Sequence, residues 1–187
     1  MLRVFLLLLV LASALLVAPP AEATSVIFLT DAEQAAFSDA VVLGTVTSQR
    51  VETHAAWNRP VTISSFAVEE TLHGKAPASI DVQQLKGTVG DVTVALPGSA
   101  NLKVGERVVL FLHLVDGRWY PTALEQSKYA VKEGRLGLLL SRPPLEADLY
   151  EKSADGALRR IEEPARKPIY RLDDLKEALT RVKQEAP

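Results

Sequence analysis

The 187-residue sequence contains no cysteine. This absence excludes disulfide bonds, thiolate ligands for a structural zinc ion and a cysteine nucleophile. It also excludes anchoring by a lipid on a cysteine thiol. A chain without these devices must stabilise itself by packing, and a domain of this length can bury roughly 70% of its unfolded surface.

An excess of charge of either sign is also missing. The formal net charge is −2, and no more than two Lys or Arg residues are adjacent. Domains that bind nucleic acid carry a basic face, and anionic membranes attract clusters of basic residues. The sequence therefore predicts neither nucleic acid nor an anionic membrane surface as a partner.

Long apolar runs are missing after the first residues of the chain. Arg3 is followed by about 15 apolar residues at 4–18, then by Pro19-Pro20 and Ala21-Glu22-Ala23. This pattern is typical of a secretory signal peptide, and the run is shorter than the roughly 20 residues that span a bilayer. We predict a signal peptide at 1–23, cleavage after Ala23, and a secreted or periplasmic protein without a membrane segment. Because exported eukaryotic domains usually have disulfide bonds, a bacterial envelope is favoured.

The remaining sequence has the pattern of a β protein. Residues 40–46, "AVVLGTV", are almost wholly apolar, which predicts a strand covered on both faces. Asp116-Gly117 follows a second apolar run and predicts a tight hairpin turn. Seven or eight such strands, with turn signals about every 8–12 residues, favour a small antiparallel barrel or a sandwich.

Two helices are predicted beside the strands. Thr30 and Glu33 form a capping-box pattern before a short helix at 31–37. Four apolar residues, Leu172, Leu175, Leu179 and Val182, recur at helical spacing and predict an amphipathic helix near 173–183 that packs on the barrel. We predict a barrel domain at 24–140, followed at 141–187 by an extended arm and this helix, with a small hairpin at Asp155-Gly156.

Motifs for catalysis or metal binding are scarce. The three histidines, His54, His73 and His113, occur in no paired arrangement typical of metal ligands. The G-x-S-x-G pattern of serine hydrolases is absent, and Gly87 and Gly90 lack the Lys-Ser/Thr of a phosphate-binding loop. We therefore predict no catalytic residue, no metal and no cofactor. An enzyme with a dispersed site stays an alternative, which a pocket joining a histidine to a carboxylate would support.

Four segments resemble a group of uncharacterised bacterial secreted proteins. These are "AAFSDAVVLGTVTS", "FAVEETLHGKAP", "VGERVVLFL" and "ALEQSKYAV", within residues 29–131. More distantly, "QAAFSDAVVLGTV" and "FAVEETLHGK" are similar to the netrin-like module of the tissue inhibitors of metalloproteinases. That resemblance implies a five-stranded OB-type barrel. It also implies inhibition of a protease through the first mature residues, here Thr24 and Ser25, although the cysteine that this family has at the first position is missing.

The sequence as a whole predicts a mainly β protein, a small OB-like antiparallel barrel with a short N-terminal helix and a C-terminal amphipathic helix. The expected role is a noncatalytic binding or structural module for an unknown protein or cell-envelope ligand. OB-type barrels bind ligands on one sheet face and its flanking loops. This analogy selects His54 and Trp57 in a polar loop at 49–60, and Lys86 and Asp91 in a loop at 86–91. Alternatives are a secreted protease inhibitor acting through Thr24 and Ser25, and the dispersed-site enzyme.

Overall fold

The structure is a computed structural model that describes residues 25–135, 137–142, 145, 147–153, 155–162 and 170–185. The predicted signal peptide and Thr24 lie outside these residues. The strands within them are β1 (Ser25–Ile27), β2 (Ala40–His54), β3 (Arg59–Gly74), β4 (Ser79–Gln84), β5 (Gly87–Val89), β6 (Val92–Val94), β7 (Arg107–Val115), β8 (Arg118–Pro121), β9 (Lys128–Gly134), β10 (Gly137–Ser141), β11 (Asp148–Lys152), β12 (Leu158–Ile161) and β13 (Tyr170–Arg171). The helices are α1 (Asp31–Ala36) and α2 (Leu172–Glu185), with a 3-10 turn at Leu124–Ser127.

Five of these strands form a partly closed barrel. Strands β2, β3 and β4 form an antiparallel meander, β7 returns to pair with β2, and β8 pairs with β7. The ring closes through one parallel pair, Val82 on β4 with Trp119 on β8. This Greek-key order is that of an OB-type barrel, and with both helices present it confirms the predicted fold class.

The apolar run at 40–46 is buried because it lies between two cores. Val42 and Val46 point into the barrel, where they pack with Phe66. Val41 and Leu43 point to the other face and pack under the helices. Successive side chains of a strand point to opposite faces, so a strand covered on both sides must be apolar at every position.

Gly44 is required where β2 and β3 approach closely. A β-carbon at this position would collide with the Ala67 carbonyl oxygen and would lie 2.7 Å from the Phe66 ring. The pairing of β2 with β3 shifts register between Leu43 and Gly44. Such an irregularity, next to a glycine, lets a strand bend around a small barrel.

Both helices form as their sequence signals predict. The Thr30 hydroxyl accepts a hydrogen bond from the Glu33 amide at 3.3 Å, and the Glu33 carboxylate accepts one from the Thr30 amide at 2.7 Å, which is a complete capping box. Leu175 and Leu179 of α2 are fully buried against the outer face of the sheet. The predicted amphipathic helix and its docking on the barrel are confirmed.

A buried polar cluster joins distant parts of the chain on the same face. Asp31, at the start of α1, accepts hydrogen bonds from Tyr129 at 2.8 Å, from Tyr170 at 2.7 Å and from Arg142 at 3.0 Å. The Arg142 guanidinium lies 3.6 Å from the centroid of the Tyr129 ring. Burial raises the pKa of both tyrosines, so their hydroxyls stay protonated and donate to Asp31. The cluster links α1 to β9, to Arg142 directly after β10, and to β13.

Within segment 141–167, strands β11 and β12 form an antiparallel hairpin. Their turn includes Gly156, which confirms the hairpin predicted at Asp155-Gly156. Strand β11 also pairs in parallel with β1, so this hairpin is connected to the beginning of the described chain. Neither helix among the described residues combines the length and apolarity that crossing a membrane requires.

Candidate functional site

The prediction of a loop at 49–60 is wrong for most of these residues. Residues 49–54 continue β2 and pair with β3, from Gln49 opposite Ser64 to His54 opposite Arg59. The turn itself is limited to residues 55–58, where Asn58 adopts a φ of 48° and its amide donates to the His54 carbonyl at 2.8 Å. The long hairpin therefore extends beyond the core, and its polar residues lie on a strand.

His54 and Trp57 lie together at the tip of this hairpin. Their rings stack with centroids 4.1 Å apart and an angle of 24° between planes. The Trp57 amide donates to Nδ1 of His54 at 3.3 Å. Trp57 remains 48% exposed, so one part of the indole is supported by His54 while the rest is available to solvent.

A groove of about 410 Å³ runs across the outer face of the barrel and is called the outer groove below. It crosses four neighbouring strands, β2, β3, β4 and β8, near the turn at Asp116-Gly117. Side chains that point away from the barrel interior supply its polar lining. The residues that give the outer groove its chemical character are Arg50, Glu52, Ile63, Asp81, Gln83 and Arg118.

Charged groups on β2 and β4 are paired across the outer groove. Nη2 of Arg50 donates to Asp81 at 2.9 Å, and the Ser65 hydroxyl donates to the same carboxylate at 2.8 Å. Together these donors hold the pKa of Asp81 below its ordinary value. Glu52 is bound more weakly, because its contact with Nε of Arg50 is 3.4 Å long.

On the side of β8, a buried amide organises the polar groups. Oε1 of Gln83 accepts a hydrogen bond from Nη1 of Arg118 at 2.7 Å, and Nε2 of Gln83 donates to the Tyr120 hydroxyl at 3.1 Å. The Tyr120 ring stacks on His113, with centroids 5.6 Å apart. Burial lowers the pKa of His113, and the Asp39 carboxylate partly opposes this shift.

Lys86 and Asp91 lie in a different hairpin, formed by β5 and β6. Asp91 is exposed at its tight turn, next to Gly90, which has a φ of 56°. Lys86 precedes β5, and its Nζ donates to the Ala100 carbonyl at 3.2 Å. Burial lowers the pKa of Lys86, and the nearby charge of Lys128 lowers it further.

This second hairpin contacts the face of β2 that carries Val51. A β-carbon added to Gly87 would lie 2.6 Å from Cγ1 of Val51. Arg50 and Glu52 alternate with Val51 and therefore point to the opposite face. Of the four predicted ligand-binding residues, the structure brings His54 and Trp57 together, and it places Lys86 and Asp91 across the sheet from the outer groove.

The three histidines do not meet in one pocket. His54 ends β2 at the hairpin tip. His73 lies on β3, where it pairs with Val41 near the beginning of β2. His113 lies on β7 opposite Tyr120. In the part of the chain that the structure describes, no group of three histidine or acidic side chains could hold a metal ion.

Of the two residues predicted for protease inhibition, Ser25 alone is described. It is exposed at the start of β1 and pairs with Asp148 of β11. Thr24 lies outside the described residues, and inhibition through the N-terminus stays a prediction.

Sequence reasoning misses the principal lining residues of the outer groove. Arg50 and Glu52 fall in the polar stretch at 49–54, which has the composition of a loop. Asp81 and Gln83 lie on β4, where their alternation with the apolar Ile80 and Val82 marks an outward face. That alternation, combined with the expected OB topology, is the signal that could have identified them.

The topology and the outer groove together define an OB-like barrel with a candidate ligand-binding face. Comparison of the chain with protein-family models, curated proteins and solved structures finds no match. The side chains of the outer groove are therefore the basis for assigning a function.

Proposed function

We propose that this protein is an exported, noncatalytic binding module whose ligand occupies the outer groove. OB-type barrels bind ligands on the face of their second and third strands, between the loops that join strands one to two and four to five. The corresponding parts here are β3, β4, the turn at 55–58 and the turn at Asp116-Gly117. The position of the outer groove on this face is the observation that carries the proposal.

The lining of the outer groove suits recognition of a ligand with both polar and apolar parts. Ile63 provides an apolar contact, and Arg50, Asp81 and Arg118 provide charged hydrogen-bonding groups around it. Small-molecule sites commonly combine an apolar lining with a few oriented polar groups, in volumes of about 300–1,000 Å³. The existing ion pair and amide contacts hold these groups in place before a ligand arrives.

Trp57 provides a platform at the end of the hairpin that carries Arg50 and Glu52. An indole that is half exposed and stacked on His54 presents a large apolar surface at a small entropic cost. The predicted signal peptide supports a site of action outside the cytoplasm. A peptide or glycan of the cell envelope is the class of ligand that this location favours.

Intrinsic fluorescence of the two tryptophans tests the proposal. Trp119 is 8% exposed in the barrel interior, whereas Trp57 is 48% exposed at the hairpin tip. We expect ligands from a panel of defined short peptides and soluble oligosaccharides to change the emission of the wild type, and Trp57→Phe to lose most of this change. Arg50→Ala and Asp81→Ala should weaken binding, with Lys86→Ala in the second hairpin as the control. Weakening by Lys86→Ala alone would contradict the proposal.

A further inference from the structure

Arg118 is a cation in the outer groove whose identified partner is neutral. It begins β8, and its Nη1 donates to the amide oxygen of Gln83. Within the described residues, no ion pair joins Arg118 to a carboxylate, in contrast to Arg50, which contacts both Glu52 and Asp81. The positive charge on the β8 side of the groove is therefore available to a ligand.

Gln83 holds this arginine in a defined position. Its side chain is only 1% exposed, and both halves of its amide are used, one by Arg118 and the other by Tyr120. A buried amide whose oxygen and nitrogen are both hydrogen-bonded has one orientation, and it restricts the guanidinium that it contacts. Side-chain entropy that is lost on folding is not lost again on binding, so the position of Arg118 favours tight binding of an anion.

We propose that the outer groove binds short extended peptides, with the C-terminal carboxylate on Arg118 and a cationic side chain on Glu52. This inference rests on the proposed function of the outer groove. A guanidinium presents two parallel N–H groups that match the two oxygens of a carboxylate. Glu52 has one long contact with Arg50 and lies on β2, at the opposite side of the groove from Arg118.

The separation of the two charges sets the length of the peptide. Strands β3 and β4 lie between β2 and β8, so three strand spacings, about 14 Å, separate Glu52 from Arg118 across the sheet. The register also offsets Arg118 from Glu52 by about four residues, or about 13 Å, along the strands, which makes the direct separation about 20 Å. An extended tetrapeptide covers about 13 Å, and the side chain of a lysine at its first residue covers the remainder.

The mixture of charges favours a peptide over a polyanion. Arg50 and Arg118 are balanced by Glu52 and Asp81, so these four side chains have no net charge. Grooves that follow a nucleic-acid backbone are positively charged along their length. A ligand with one carboxylate and one cationic group fits the outer groove, whereas successive phosphates would be repelled by Glu52 and Asp81.

Calorimetric titration of the secreted chain with acetyl-Lys-Ala-Ala-Ala tests this proposal. With the wild type, the free acid should bind roughly tenfold more tightly than the C-terminal amide, because amidation removes a charge-assisted hydrogen-bonded pair. Arg118→Gln should abolish this difference in affinity. Arg118→Lys keeps the positive charge but loses the two parallel N–H groups, so it should reduce the difference. Arg159→Gln, at an exposed position of β12, is the matched control and should leave it unchanged.

Replacement of the peptide's lysine by norleucine tests the second charge. This change should weaken binding to the wild type but not to Glu52→Gln. Equal binding of acid and amide, or no binding of either peptide, overturns the peptide proposal. Stronger binding of inorganic phosphate or of an oligodeoxythymidine also overturns it. A Trp57 fluorescence response to other ligands in the panel would leave the proposed function intact. Failure of the peptide proposal can therefore be distinguished from failure of the proposed function.

Discussion

The two halves of strand β2 continue one ladder with β3 but have different surroundings. Residues 40–45 pair with β3 on one side and with β7 on the other, and nearly every side chain is buried. Residues 48–53 pair with β3 alone, and their side chains are exposed. The first half, called the base below, is part of both cores. The second half, called the projecting half, carries Arg50 and Glu52 to the outer groove.

Under the proposed function, this difference separates stability from recognition along a single strand. At the base, burial of apolar side chains from both faces contributes to the free energy of unfolding. In the projecting half, exposed side chains contribute little to that free energy and are available to a ligand. Substitutions in the base should therefore have large effects on stability. Substitutions in the projecting half should instead have large effects on ligand binding.

The largest expected effect is a loss of stability after a substitution in the barrel interior, next to the base. Phe66 is fully buried against Val42 and Val46, so Phe66→Ala should lower the free energy of unfolding by about 3–5 kcal/mol. Phe37→Ala is the matched control, because Phe37 is 65% exposed, and it should change the value by less than about 0.5 kcal/mol. Urea denaturation measures both. Equal effects of the two substitutions would contradict the assignment of the core.

The next largest effect is a steric loss of stability at Gly44, where the base of β2 bends. Gly44→Ala places a methyl group against the Ala67 carbonyl and should cost about 1–3 kcal/mol in the same assay, because backbone must move. Gly90→Ala in the turn of the second hairpin provides a comparison without a clash, since a β-carbon added there would have no neighbouring atom within 4 Å. It should cost about 1 kcal/mol, the low end of the penalty for a side chain at positive φ. A neutral Gly44→Ala would show that the close approach of β2 and β3 is not required.

A smaller effect on stability is expected at the hairpin tip. Trp57→Ala loses the stacking on His54 and should cost less than about 1 kcal/mol. The same substitution should weaken ligand binding in the calorimetric assay, which does not depend on fluorescence. Loss of several kcal/mol of stability, with binding retained, would reverse the distinction between the two halves.

The smallest effect concerns pH and sharpens the description of the projecting half. Arg50→Gln removes the principal cause of the low pKa of Asp81, so this pKa should rise toward 3.8, as followed by NMR of the carboxyl carbon. A lowered pKa means that the stabilisation by the Asp81–Arg50 pair is present above the ordinary pKa and is lost as pH falls through the lower, folded value. In Arg50→Gln this acid-dependent loss should shrink. An unchanged pKa would show that the pair does not form in solution.

Much of the scaffold could be predicted from the sequence because its signals are local. The unbroken apolar run at 40–46, the Thr30–Glu33 capping box and the spacing of Leu175 and Leu179 each reflect a rule that acts over a few residues. The Asp116-Gly117 turn is predicted in the same way, and both residues have the positive φ that it requires, 49° and 75°.

The projecting half and the outer groove depend on long-range pairing and could not be predicted in this way. Residues 49–54 have no buried face, so their sequence shows no hydrophobic alternation, and the strand forms because β3 pairs with it. The lining residues come from four strands and meet only after the barrel closes. The contact of Arg142 with Asp31, 111 residues earlier in the chain, is of the same kind.

An amide NMR titration of the isotopically labelled chain with acetyl-Lys-Ala-Ala-Ala tests most directly whether the outer groove is the binding face. The predicted result is a set of shifts at Asp81, Gln83 and Gly117 and at the indole of Trp57, with the amides of α2 and β12 unchanged. Shifts confined to the second hairpin at 86–91, or to α2, would contradict the assignment.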